Sequence, residues 1–142
     1  LVNMARNENQ LKRNAKTITP QEKTVVRNLL TRINKITVET CEHAQERLEQ
    51  RGLTVEQLQN VLTNADYNRV VEVSIAPRNN GFEPRMLITS EQVYGTGRGR
   101  YRVAVVVNCH NFKVVTTYKA FLSNRYKEIT NDNFNFANYF RK

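Results

Sequence analysis

The 142-residue chain contains little cysteine, proline or glycine and no tryptophan, and it has no long apolar run. Its two cysteines, Cys41 and Cys109, are too few for a disulfide scaffold and lack the spacing of a metal site. We therefore expect ordinary buried thiols in a reducing cytoplasm, with no metal or other cofactor. No stretch approaches the roughly 20 apolar residues of a transmembrane helix, so we expect no membrane partner.

Acidic residues are also scarce, with 13 Asp and Glu against 22 Lys and Arg and a formal net charge of +9. Such an excess of positive charge predicts a polyanionic partner, and nucleic acid is the first candidate. The bases are unevenly distributed, because residues 1–36 carry eight against two acids whereas residues 37–66 carry two against six. The attraction for a polyanion therefore comes from the N-terminal extension and the second half of the chain.

Three helices are predicted in the first half of the chain. The first covers residues 20–35 and begins with a capping box at residues 19–22, with a proline at the first helical position. The second covers residues 41–51 and ends at Gly52, a residue typical of helix C-termini. The third begins with another capping box at residues 54–57.

From residue 69 the pattern changes to valine-rich runs typical of β-strands. A short turn at residues 108–111 joins the last two strands, which are therefore antiparallel. Helices followed by strands predict an α+β fold, with N-terminal helices packed on a mainly antiparallel sheet of four strands or slightly more. The predicted strands are residues 69–76, 85–89, 101–108 and 113–121, and residues 77–81 are predicted as a loop.

The chain divides into three predicted parts. Residues 1–36 form a basic N-terminal arm and helix, of which residues 1–18 are expected to be a loose arm. Residues 37–122 form the α+β domain. Residues 123–142 are an Asn- and aromatic-rich tail that we expect to dock on the body, because apolar tails usually bury themselves.

His43, Arg47 and Arg51 are spaced four residues apart, so they share one stripe of the second helix. The helical wheel places Cys41, Ala44 and Leu48 on the buried face beside this stripe. Arginine binds phosphate oxygens bidentately and histidine transfers protons near neutral pH, so the stripe suits transesterification of RNA by its own 2′-OH. The alternative is structural, with the arginines paired to neighbouring glutamates or to solvent.

The segment also resembles a known family. Residues 43–56 read His-x-x-x-Arg-x-x-x-Arg-Gly, followed by Leu, Thr, Val and Glu. Over roughly residues 37–121 this motif and the order of elements resemble the small toxin-like domains of the barnase–EndoU–colicin–RelE ribonuclease superfamily. The resemblance implies a barnase/RelE-like fold and a metal-independent endoribonuclease of toxin type. It also implies RNA as substrate, such as tRNA or ribosome-associated mRNA, and a cognate inhibitor or host protein as partner.

The resemblance further assigns roles to single residues. His43 is implied to transfer the proton, while Arg47 and Arg51 hold the scissile phosphate. Thr117 and Tyr118, on the last strand, are implied to orient the substrate or share the acid–base work. His110 lies in the predicted turn and is expected to be an exposed turn residue.

A second basic feature is the glycine-rich segment 95–102, which is neither a phosphate-binding P-loop nor a dinucleotide fingerprint. One interpretation is a mobile loop that contacts RNA, with arginines on phosphates and an aromatic ring on a base. The other is a solvated hairpin loop, and strand alternation itself places Tyr101, Val103, Val105 and Val107 on the core face. The predicted RNA-binding residues are Arg98, Arg100, Tyr101, Arg102, Lys113 and Lys119.

Two functions remain open from the sequence. The first is an RNA-acting protein, an endoribonuclease that cleaves without metal through attack by the 2′-OH. The second is a non-catalytic binding module of the same fold, from a phage or other mobile element, that engages a host protein or nucleic acid through its basic surface. Convergence of His43, Arg47 and the last strand in one exposed cleft favours the enzyme.

Overall fold

The computed structural model describes residues 11–39, 41–78, 81–124 and 134–140. Within these residues, three α-helices accompany one antiparallel sheet whose five strands lie in chain order, so the predicted α+β class is confirmed. The helices are α1 (Pro20–Ile33), α2 (Glu42–Gln50) and α3 (Val55–Thr63). The strands are β1 (Leu11–Asn14), β2 (Val70–Arg78), β3 (Gly81–Thr89), β4 (Tyr101–Asn108) and β5 (Val114–Phe121).

The first strand corrects the prediction of a loose arm over residues 1–18. Leu11–Asn14 pairs antiparallel with β2, and Arg13 lies opposite Val73. Arg13 is buried because its guanidinium group lies against the carboxylate of Glu22, while Leu11 packs against the hydrophobic core. Because the inward-facing residue is a charged arginine, this segment lacks the alternation of apolar and polar residues by which a strand is predicted from sequence. The rest of the predicted arm, residues 1–10, lies outside the described residues.

The prediction of a loop over residues 77–81 is wrong at both ends. Pro77 pairs with Phe82 and Arg78 with Gly81, so β2 and β3 continue to a tight hairpin. Gly81 has a φ angle of 136°, which a side chain would disfavour. The residues between them, 79–80, are outside the described part of the chain.

The two predicted capping boxes are confirmed by their hydrogen bonds, although the first helix ends at Ile33 rather than at residue 35. At the start of α1, the Thr19 hydroxyl accepts from Glu22 N at 3.2 Å, and Glu22 Oε1 accepts from Thr19 N at 2.9 Å. Thr54 and Gln57 form the same reciprocal pair at the start of α3. Past the end of α2, Gly52 adopts a φ angle of 70°, a conformation that favours glycine.

One hydrophobic cluster occupies the space between the helices and a single face of the sheet. The predicted inward face of β4, with Tyr101, Val103, Val105 and Val107, is buried and therefore confirmed. Residues from α1 and from the aromatic tail belong to the same cluster as the sheet. No helix in the described part of the chain has both the length and the hydropathy needed to span a membrane.

The two thiols differ in environment, and the expectation that both are buried is wrong for Cys41. Cys41 precedes the first turn of α2 in an extended conformation, so the helical wheel does not apply to it. Cys109 is buried beyond the end of β4. Burial, with a smaller contribution from the nearby charge of Glu83, raises the pKa of the Cys109 thiol to about 12.

We therefore expect a disulfide reagent at pH 8 to modify one thiol of the folded protein and two of the unfolded protein. The thiolate is the reactive form, and Cys109 stays protonated and sterically shielded. Counting released chromophore in native buffer and in denaturant measures both numbers. Cys41→Ser should reduce the native count to zero, whereas Cys109→Ser should leave it at one. A native count of two would contradict the burial of Cys109.

Candidate nucleic-acid interface

Helix α2 presents the predicted stripe to solvent. His43, Arg47 and Arg51 are all exposed, and Leu48 between them is buried and fixes the helix to the core. Ala44 is half-buried, so the inward face of the helix consists of Ala44 and Leu48 without Cys41. The four-residue spacing therefore gives the shared exposed side that the sequence indicates.

Arg51 connects the end of α2 to the free edge of the sheet. Its Nη1 donates to the carbonyl oxygen of Thr117 at 2.7 Å and to the hydroxyl of Thr116 at 3.3 Å. This carbonyl is accessible because β5 is the last strand of the sheet. This contact links residues that are 66 positions apart in the sequence, and it holds the end of α2 against β5.

We call the space between α2 and the beginning of β5 the α2–β5 groove. It has a volume of about 310 Å³ and is also bordered by the segment that joins α1 to α2. Three basic residues, Arg47, Arg51 and Lys113, line it together with one acid, Glu39. An excess of cations in a concave site attracts phosphate, and arginine can bind two of its oxygens at once.

His43 lies beside this groove through its contact with Arg47. The Nε of Arg47 donates to Nε2 of His43 at 3.3 Å, with both side chains exposed. Nε2 of His43 is therefore the acceptor in this contact. Exposed hydrogen bonds of this kind exchange readily with solvent or ligand, so an anion can take Arg47 and free the nitrogen.

The two predicted residues of β5 lie on opposite faces of the sheet. Thr117 lies opposite Val105 on the core side of the sheet, and its hydroxyl donates to the carbonyl of Ala104 at 2.9 Å. Tyr118 lies opposite Ala104, and neighbouring residues of a strand point to opposite faces. Thr117 therefore borders the groove with its hydroxyl already engaged, while Tyr118 belongs to the other face of the sheet.

The predicted RNA-binding residues are dispersed. Lys113 lines the groove, whereas Arg98 and Arg100 are exposed on the glycine-rich loop before β4. The ring of Tyr101 is buried against Tyr94 and Phe121, and the Lys119 ammonium lies 4.6 Å from its centroid. The structure therefore presents no open face of Tyr101 to a base, and Lys119 covers this aromatic cluster.

Arg102 holds the backbone of the β3–β4 connection. Its Nη1 donates to the carbonyl oxygens of Ser90 at 2.8 Å and Glu91 at 2.6 Å. Burial, followed by repulsion from Arg69, lowers the pKa of the Arg102 guanidinium, although Glu91 partly opposes this change. Its donors are therefore directed at protein carbonyls rather than at an external phosphate.

Thr116 and Phe112 are among the groove residues that sequence reasoning missed. Strand alternation does not reveal Thr116, because it places this residue on the same face as Tyr118; Thr116 borders the groove because its hydroxyl accepts from Arg51. Phe112 also gives no signal in the sequence, because its φ angle of 57°, which favours glycine or asparagine, is seen only in the structure.

Comparison with protein-family models, with curated proteins and with solved structures gives no match. The resemblance to ribonuclease-toxin domains rests on the motif that starts at His43 and on the order of the elements, and it stays a prediction.

Proposed function

We propose that this protein acts on RNA at the α2–β5 groove, where Arg47 and Arg51 hold a phosphate and His43 transfers a proton. The observation that carries the proposal is the arrangement of these three side chains. Arg47 and Arg51 line the same groove as Lys113, and His43 is hydrogen-bonded to Arg47 at its side.

The chemistry follows from the attacking group that RNA already contains. The ribose 2′-oxygen attacks the adjacent phosphorus while Nε2 of His43 accepts the 2′-OH proton. The bond from phosphorus to the 5′-oxygen then breaks, and a proton from water completes the 5′-hydroxyl end. The other product is a 2′,3′-cyclic phosphate. Arg47 and Arg51 stabilise the additional negative charge that develops on the phosphate oxygens.

A second candidate function is binding of RNA without cleavage. It is favoured by the engagement of the Thr117 hydroxyl with Ala104 and by the position of Tyr118 on the other face of the sheet. With the Thr117 hydroxyl already engaged, the proposed proton transfer in the groove depends on His43. Under this alternative the groove holds the RNA backbone for another purpose.

The deciding experiment measures binding and cleavage of the same end-labelled RNA in buffer with EDTA. Arg47→Ala should weaken binding about 10-fold, because a charge-assisted hydrogen bond to phosphate is worth about 1.5–3 kcal/mol. It should also reduce the slope of log affinity against log salt concentration by about 1, the value expected for loss of one phosphate contact. Arg78→Ala is the matched control, since Arg78 is an exposed arginine on the β2–β3 hairpin.

His43→Ala tests catalysis separately from binding. We expect it to slow cleavage about 100-fold while leaving affinity nearly unchanged, because His43 supplies a proton acceptor and no phosphate contact. Intact RNA in the presence of wild-type protein, with binding that still requires Arg47, would select the non-catalytic candidate. Binding that is equal in wild type, Arg47→Ala and Arg78→Ala would reject the groove as the RNA site.

A further inference from the structure

Phe112 has an unusual backbone for its side chain. Within the described part of the chain it is the one non-glycine residue with a positive φ angle, 57°. It closes the β4–β5 turn, where its N–H donates to the carbonyl of Asn108 at 2.8 Å. Bulky residues disfavour this left-handed conformation, and turns normally place glycine or asparagine there. An aromatic residue held against its backbone preference is a frequent feature of functional sites.

The surroundings of the ring point to a ligand in the α2–β5 groove. Phe112 is half-buried and lines the groove together with Arg47, Arg51 and Lys113. The guanidinium carbon of Arg32, an exposed residue of α1, lies 4.6 Å from the ring centroid. The groove therefore combines three basic side chains with the aromatic ring of Phe112, and Arg32 lies against that ring from α1. Its volume of about 310 Å³ falls at the lower end of small-ligand sites.

We infer that Phe112 and Arg32 form a stacking platform for an unpaired base of single-stranded RNA, whose phosphate lies on Arg47 and Arg51. The inference rests on the proposed function and names its substrate class. Bases of single strands can turn out and stack on aromatic rings or guanidinium planes. Bases inside a duplex are stacked on one another, so they cannot stack on this platform.

The test uses the full chain and two forms of one RNA, a single strand carrying one 2-aminopurine and the same strand annealed to its complement. We expect the wild-type protein to quench the 2-aminopurine fluorescence of the single strand and to bind it more tightly than the duplex. Phe112→Leu keeps an apolar side chain without a ring, and it should weaken single-strand binding about 5- to 100-fold, the range for loss of one base stack.

Two further variants separate stacking from folding. Phe112→Tyr keeps the ring and should retain both affinity and quenching. Phe112→Asn fits the left-handed backbone and should keep the thermal unfolding temperature near that of wild type while losing the quenching. Duplex affinity should be the same in all four proteins, because it depends on phosphate contacts alone.

The outcomes distinguish this inference from the function on which it depends. Unchanged quenching and affinity in Phe112→Leu and Phe112→Asn would overturn the platform, even where Arg47→Ala still weakens binding. Equal wild-type affinity for single strand and duplex would overturn it as well, and the groove would remain an RNA site. Loss of RNA binding on Arg47→Ala in both forms supports the proposed function independently of Phe112.

Discussion

Replacing Glu22 with glutamine should lower the free energy of unfolding by about 3–5 kcal/mol, because a buried guanidinium group then loses its counter-charge. Glu22 is fully buried, and the side chain of Arg13 is 8% exposed. Their closest charged atoms, Nε of Arg13 and Oε1 of Glu22, are 3.3 Å apart. Removing one charge of such a pair is strongly destabilising, since the remaining charge cannot be solvated by water.

The carboxylate of Glu22 also joins three separate parts of the chain. Oε1 caps α1 through Thr19 N, and Oε2 accepts from Phe136 N in the tail at 2.9 Å. Arg13, on β1, donates from Nη2 to the carbonyl of Phe134 at 2.6 Å. Glutamine can accept at one position only, so it also leaves a backbone N–H of the tail or of the helix start without its acceptor.

Urea denaturation of the full chain, followed by far-ultraviolet circular dichroism, measures this effect. Glu46→Gln removes an exposed carboxylate from α2 and should change the unfolding free energy by less than about 0.5 kcal/mol. In the double variant Arg13→Met, Glu22→Gln, the loss of unfolding free energy should be smaller than the sum of the losses in the two single variants, because the two side chains are coupled. A loss below about 1 kcal/mol for Glu22→Gln would show that the pair is accessible to water.

The local features of the fold could be predicted from the sequence because each depends on neighbouring residues. The capping boxes at Thr19 and Thr54 need only four consecutive residues, and the inward face of β4 follows from simple alternation. Strand β1 could not be predicted in the same way. Its partner β2 lies about 60 residues away, and Arg13 is buried only because Glu22 and Phe134 meet it in three dimensions.

The same distinction applies to the candidate site. The exposed stripe of α2 depends on helical spacing, so His43, Arg47 and Arg51 could be grouped from the sequence. The opposite wall could not, because it depends on how α2 approaches the free edge of β5 through the contacts of Arg51. Strand alternation should have separated Thr117 from Tyr118, since adjacent strand residues point to opposite faces.

The positive charge of the chain also needs a structural interpretation. Arg13 is paired with a buried carboxylate and offers little charge to a polyanion. Arg102 donates to two backbone carbonyls and keeps its charge, as Arg51 does with a carbonyl of β5. Arg47, Arg51 and Lys113 remain at the groove. The net charge of +9 therefore favours polyanions in general, whereas under the proposed function these three residues position the phosphate.

Phe136→Ala should destabilise the protein by about 3–5 kcal/mol, because it removes a ring from the centre of the hydrophobic cluster. Phe136 is completely buried and is the largest of the fully buried side chains in the described residues. Its ring centroid lies 5.1 Å from that of Phe140, and its N–H is bound by Glu22. The short helical turn of the tail, Phe136–Phe140, therefore completes the core rather than covering its outside.

Thermal and urea unfolding of Phe136→Ala, with Asn138→Ala as the control, test this conclusion. Asn138 is exposed in the same turn, so its replacement should change the unfolding free energy by less than about 0.5 kcal/mol. The unfolding free energy of Phe136→Leu should lie between those of Phe136→Ala and Asn138→Ala, because leucine fills part of the cavity that alanine leaves. If Phe136→Ala unfolds like wild type, the tail is not part of the cooperative unit. The contacts of Phe136 with Glu22 then cannot hold the first strand and the tail together.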